Sequence, residues 1–121
     1  MNRAARKRQF DKKARKEIYE RDSQWGNPCL FCRKRYRMEK ARNFETGIFE
    51  TMHVVPRSHG GLGVAKNGII GCKYHHRMLD GSDKRDEMIE MIRQYMELFY
   101  SDWDLDELAY NKERDANSEP R

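Results

Sequence analysis

Apolar positions change their spacing along this chain, and each change predicts an element. From Arg3 to about Arg21 the residues are good helix formers, and Phe10, Ala14 and Ile18 fall at i, i+4 and i+8 as a narrow stripe, so a helix docked by one edge is expected. Residues 1–9 should be frayed. Asp22, Ser23, Gly26, Asn27 and Pro28 form a breaker cluster that ends it before Cys29. Met38 to Phe44 has no period and reads as irregular, with a turn at Thr46-Gly47. Ile48 to Val55 then alternates as a strand does, placing Phe49, Thr51, His53 and Val55 on one face and Ile48, Glu50, Met52 and Val54 on the other. Pro56 stops it, and Pro56 to Lys66, with three glycines, reads as a long loop.

After the loop, Gly68 to Gly71 can pair back as a second strand, and Lys73 to Asp80 follows as a short helix with Gly81 at a left-handed C-terminal cap. From Asp83 to Tyr100, Met88, Met91 or Ile92, Tyr95, Met96 and Phe99 recur at three- and four-residue spacing, an amphipathic helix that should cover the sheet. Asp102 to Tyr110 supplies a last turn or two, packing through Trp103, Leu105 and Leu108. The expected class is α+β, one domain over 1–110, with 111–121 a polar disordered tail.

Composition makes that core thin. Glycine aside, apolar residues are 37% of the 121 residues, and with glycine the share stays below the roughly 45–50% of ordinary globular chains. Such a chain needs a staple, and a metal is one kind. No apolar run is long enough for a membrane span, and the basic N-terminus leads into no signal-peptide core. Three cysteines cannot all pair within the chain, so ligation is the better reading of Cys29-Leu30-Phe31-Cys32 than a disulfide. The net charge of +5 hides a gradient, with about +10 over residues 1–42, +1 over 43–81 and −6 over 82–121. A basic front attracts a polyanion, of which nucleic acid is the commonest; a solvated basic arm would give the same pattern.

The chemistry concentrates between Met52 and Gly81, which holds all four histidines. Cys72 and His75 repeat the interval of Cys29 and Cys32, and a Cys3His set fills a tetrahedron with no open position, as structural zinc sites do. The competing reading, buried cysteines packing as small hydrophobes, must treat the matched spacing as coincidence. On a helix, His75 and His76 point about 100° apart, so His76 cannot share that ion; it shares a face with Asp80 instead.

Taken together, MHVVPRSHGG, Asn67 and CKYHH resemble the HNH nucleases, more narrowly the small zinc-containing HNH endonucleases of phages and prophages. The likeness covers roughly Ile18 to Gly81. It implies a ββα-metal motif with His53, Asn67 and His76 as its three namesake positions, tied together by structural zinc on Cys29, Cys32, Cys72 and His75. The implied activity is hydrolysis of DNA phosphodiester bonds, with His53 as general base and a catalytic Mg2+, Mn2+, Ni2+ or Zn2+ held by His76 and Asp80. Asn67 would fix His53 relative to the helix, and Arg57, His59 and Arg77 would contact phosphates. The implied setting is the cytoplasm, that of the host if the chain is phage-encoded. DNA is the expected partner, with phage packaging proteins a further one. One position departs: Met52 stands where many members carry Asp, Glu or His as a metal ligand, and its thioether does not hold a hard ion. The alternative is a catalytically inactive zinc-stabilised DNA-binding or assembly module.

Overall fold

The computed structural model describes residues 9–110. Its centre is an antiparallel two-stranded hairpin, β1 (Phe49–His53) against β2 (Gly68–Cys72), in a register that pairs Phe49 with Cys72 and His53 with Gly68. The helix α4 (Lys73–Gly81) follows β2 without a break, so strand, loop, strand and helix form one unit. Ahead of it stand α1 (Lys12–Asp22), the single turn α2 (Leu30–Arg33) and the single turn α3 (Asn43–Thr46). After it come α5 (Arg85–Met96) and a 3-10 turn at Leu105–Glu107. The class is α+β. Among the described residues no helix is long and apolar enough to cross a membrane.

The hairpin carries a different core on each face, as strand alternation requires. On one side Met52, Val54 and Ile69 pack with Leu79 of α4 and with Met88, Ile92 and Met96 of α5. On the other side Ile70 packs with Ile18 of α1, Ala65 and Phe10. Two glycines of β2 make the approach possible. A Cβ on Gly68 would meet Ile18 Cδ1 at 2.3 Å and the Phe10 ring at 2.9 Å, and one on Gly71 would meet the end of Met52 at 2.5 Å.

A buried polar lock holds α1 against β2. Asp22, fully buried at the end of α1, accepts from Arg21 Nε at 2.7 Å and Nη2 at 3.0 Å, from the Tyr95 hydroxyl at 2.7 Å and from the backbone N–H of Ile70 at 2.8 Å. Burial alone would lower the Arg21 guanidinium; its bonds to Asp22 outweigh burial and hold it above its ordinary value. Asp22 therefore does more than end a helix.

Several expected boundaries move. The first helix starts at Lys12, where the Asp11 carboxylate caps Ala14 N at 2.7 Å, leaving Phe10 ahead of it; residues 1–8 lie outside the described ones. The stretch from Met38 to Phe44 is not irregular throughout: a 3-10 turn spans Met38–Lys40 and α3 begins at Asn43. The long loop contains 3-10 turns at Arg57–His59 and Ala65–Asn67. Single turns bury too little to leave a periodic signature. Gly81 is the last residue of α4 and not a left-handed cap. Ser82, in extended conformation, ends the helix, and its hydroxyl donates to Met78 O at 2.7 Å. The helix expected over Asp83 to Tyr100 occupies Arg85–Met96, and Phe99 beyond it is 37% exposed. The tail expected at 111–121 lies outside the described residues.

Candidate metal centre and the grooves around it

Cys29 stands at the N-cap of α2 and Cys32 within it, so one turn of helix aims both thiols the same way. Cys72 closes β2 and caps α4, which brings His75 one turn further on to the same point. All four are buried, and their ligand atoms lie within 4.8 Å of one another, a grouping of at least three His, Cys, Asp or Glu that no other residues among those described achieve. Cys32 Sγ and Cys72 Sγ are 3.6 Å apart, and His75 Nδ1 is 3.7, 3.6 and 3.3 Å from the sulfurs of Cys29, Cys32 and Cys72. A tetrahedral zinc with bonds of about 2.3 Å to sulfur and 2.0–2.1 Å to nitrogen separates its ligands by about 3.8 Å and about 3.6 Å respectively. The four side chains already have the spacing that one ion imposes.

The surroundings agree with that reading. His75 Nε2–H donates to the carbonyl of Tyr36 at 2.7 Å, which leaves the lone pair on Nδ1, the nitrogen that faces the sulfurs. The next carbonyl, of Arg37, accepts from the Tyr74 hydroxyl at 2.8 Å, so α4 grips two successive peptide units of one loop. Without an ion, burial pushes the Cys32 thiol up to about 11, and the hydrogen bond to Cys29 together with burial pushes Cys72 up to about 12. The same contact, donated by Cys72, holds Cys29 below the ordinary thiol value although it is buried. Cys32 and Cys72 are thus neutral at pH 7 in the ion-free chain, and metal uptake must release their protons. The residues fit a structural metal, and their sulfur-rich set suits zinc.

The neighbouring histidine has the opposite environment. His76 is 29% exposed in its side chain; its Nδ1 lies 3.2 Å from Glu50 Oε1 and its Nε2 3.0 Å from Asp80 Oδ2. Glu50 and Asp80 thus bind opposite nitrogens of one ring. An open pocket of about 360 Å³ lies over this trio, lined also by Lys73, Arg77 and Gly81. The 3.0 Å between His76 Nε2 and Asp80 is close to the edge of an octahedron with bonds of about 2.1 Å, so these two suit neighbouring ligands of one divalent ion. Glu50, on the far nitrogen, suits the orienting carboxylate behind a metal-bound imidazole. Glu50 was not among the residues singled out from sequence. Strand alternation carried the signal, since it put Glu50 and Met52 on one face.

His53 lies elsewhere. At the end of β1 it faces the α1 side, where the Phe10 ring stacks on it with centroids 4.1 Å apart, in a groove of about 400 Å³ lined by Gln9, Phe10, Arg15, Thr51 and Arg57. His53 and His76 therefore line different grooves, on opposite faces of the hairpin. Asn67 is fully buried between them in sequence and clasps the loop. Its Oδ1 accepts from Val55 N at 2.8 Å, and its Nδ2 donates to Val55 O at 3.2 Å and to Leu62 O at 2.8 Å. It thereby fixes the chain two residues beyond His53. Arg57 reaches the His53 groove; His59 is exposed at the end of the same 3-10 turn, its Nδ1 3.2 Å from Ser58 Oγ. Arg77, on α4, is ion-paired with the buried carboxylate of Glu45.

The chain matches no family model, no curated protein and no solved structure. The reading of its function rests on the site itself.

Proposed function

We propose that this chain is a metal-dependent endonuclease of the HNH type, hydrolysing DNA phosphodiester bonds. The observation that carries the reading is the partition of α4. His75 turns inward to three sulfurs, and His76 turns outward with Asp80 into an open pocket at the surface of a strand–loop–strand–helix unit. One short helix thereby joins a closed centre that can lock the scaffold to an open one that can meet a substrate.

In this reading His76 and Asp80 would hold a divalent ion, which supplies positive charge to the phosphate and to the departing 3′ oxygen. Glu50 takes the Nδ1–H of His76, leaving the Nε2 lone pair on the side of Asp80. His53 receives the proton of the attacking water. Because His53 and His76 project from opposite faces, the phosphate must sit at the outer edge of β1. Among the described residues that strand pairs with β2 alone, so its other edge is open to a ligand. Phe10 covers a flat side of the His53 ring, and the nitrogens on the ring's rim are its reactive part. Arg57 lines the same groove as His53 and in this reading would contact a phosphate. The test is nicking of supercoiled plasmid by zinc-loaded protein with Mg2+, Mn2+, Ni2+ or Zn2+. Nicking with at least one metal is expected, and His53→Ala and His76→Ala should each lower the rate by roughly 100-fold or more. A clean preparation that cuts with none of these metals, or a His53→Ala protein that cuts like its parent, overturns the proposal.

One observation favours a second reading, a non-catalytic zinc-stabilised nucleic-acid-binding module. Met52, in the position where the HNH pattern often carries a ligand, is fully buried with its side chain against Gly71, and it brings no oxygen to the pocket. Metal stoichiometry separates the two. A second ion per chain, or metal-dependent cleavage, supports the enzyme; a single tightly held zinc with salt-sensitive DNA binding supports the module.

A further inference from the structure

Next to the His76 pocket lies a second groove, of about 500 Å³, lined by Lys40, Arg42, Phe44, Glu45, Lys73, Tyr74 and Arg77. The two share Lys73 and Arg77, which stand four residues apart on one face of α4, so they are neighbouring stretches of one surface. Four of the seven lining residues are cations. Among the described residues Lys40, Arg42 and Lys73 enter no ion pair. The single acid, Glu45, is 4% exposed and engaged with Arg77, so it does little to offset the field at the mouth. Phe44 is 59% exposed at this rim. Lone exposed aromatics are common and mean little. An exposed ring among unpaired cations is the arrangement that holds a nucleic-acid strand by phosphate neutralisation and base stacking.

We propose that this groove binds an unpaired stretch of the nucleic acid adjoining the His76 pocket, with Lys40, Arg42 and Lys73 on phosphates and one base stacked on Phe44. The inference deepens the nuclease reading by naming its substrate class, a strand with single-stranded character beside the cut. The orbit of contacts is short, since α4 carries the shared Lys73 and Arg77 and, one turn on from Lys73 and Arg77 respectively, His76 and Asp80. The charge does not come from the basic N-terminal helix, which is the obvious candidate from sequence; it comes from the two single turns before β1 and from α4.

The test uses the zinc-loaded full chain and fluorescence anisotropy with a labelled 12-nucleotide single strand and the matching duplex, without added divalent metal. Phe44→Ala should weaken single-strand binding by about tenfold, within the range of one lost base stack, and weaken duplex binding by less than about twofold; Phe44→Trp should restore single-strand affinity. Lys40→Ala with Arg42→Ala should lower the salt-dependence slope on single strands by about 1.4, as expected for two lost phosphate contacts. Wild-type binding that neither set of changes alters overturns the groove while leaving the nuclease reading standing. Equal losses on strand and duplex also overturn it, as does comparable, equally sensitive binding of poly-glutamate, which marks a general anion surface. Intact Phe44-dependent strand binding in a wild-type protein that never cuts upholds the groove and removes the nuclease. A wild type that binds no nucleic acid removes both.

Discussion

The centre at His75 and the pocket at His76 are built by adjacent residues of one helix, yet they differ in almost every physical respect. The first is buried, has four ligands at tetrahedral spacing and has its imidazole fixed by a backbone carbonyl. The second is open, has an imidazole between two side-chain carboxylates and is lined by cations. A helix turns 100° per residue, so a single step along α4 crosses from interior to surface. The difference teaches that a buried ligand cluster and an open polar pocket can be separated by one peptide bond, so the pocket can be altered without disturbing the cluster.

The largest effect should come from the closed centre. Cys72→Ala removes the residue that ends β2, caps α4 and supplies a ligand, and structural zinc in small domains contributes on the order of 10 kcal/mol or more. The variant is expected to bind no stoichiometric zinc and to lack a cooperative melting transition by circular dichroism. His76→Ala, one turn away, should keep one zinc per chain and melt within a few degrees of wild type. The reverse pattern breaks the comparison. Next comes the metal-free lock. Asp22→Ala leaves the Arg21 guanidinium buried without its partner and should cost about 3–5 kcal/mol in urea unfolding while zinc content stays at one per chain. Loss of zinc in that variant would show that the two locks are not independent. The smallest effect on folding belongs to Glu50→Gln, which is exposed and should leave the melting temperature unchanged. It should nevertheless weaken Mn2+ binding at the His76 pocket by roughly 10- to 100-fold, read by electron paramagnetic resonance of zinc-loaded protein. Unchanged Mn2+ affinity would remove Glu50 from the pocket's chemistry.

What was legible in the sequence follows from what repeats. The equal intervals of Cys29 to Cys32 and Cys72 to His75 announced the closed centre, the alternation around Met52 announced β1, and the stripe from Met88 to Met96 announced α5. Features made by a single long-range contact left no such trace. Asp22 looked like punctuation because nothing local says that Tyr95, 73 residues on, donates to it. Phe10 looked like part of a helical stripe, whereas it lies ahead of α1 and covers His53. The turns at Met38–Lys40 and Asn43–Thr46 are too short to show a period, and with them the cationic groove was missed. Glu50 is the instructive case between. Its face could be read, but its partner on α4 required the fold.

The loop gripped by α4 reaches further than the Cys3His cluster it borders. Arg35 and Arg37, which flank the carbonyl that orients His75, both have left-handed backbones, at φ 55° and 47°, a conformation that side chains with a Cβ adopt only at some cost. That kink is sustained by the two bonds from Tyr74 and His75, and the turn bearing Lys40 begins at the very next residue, Met38. One loop thus joins the Cys3His cluster to the turn that bears Lys40. On the proposed reading, loss of the metal would free the left-handed backbone at Arg35 and Arg37 and with it the turn that carries Lys40, so strand binding would fall together with zinc content.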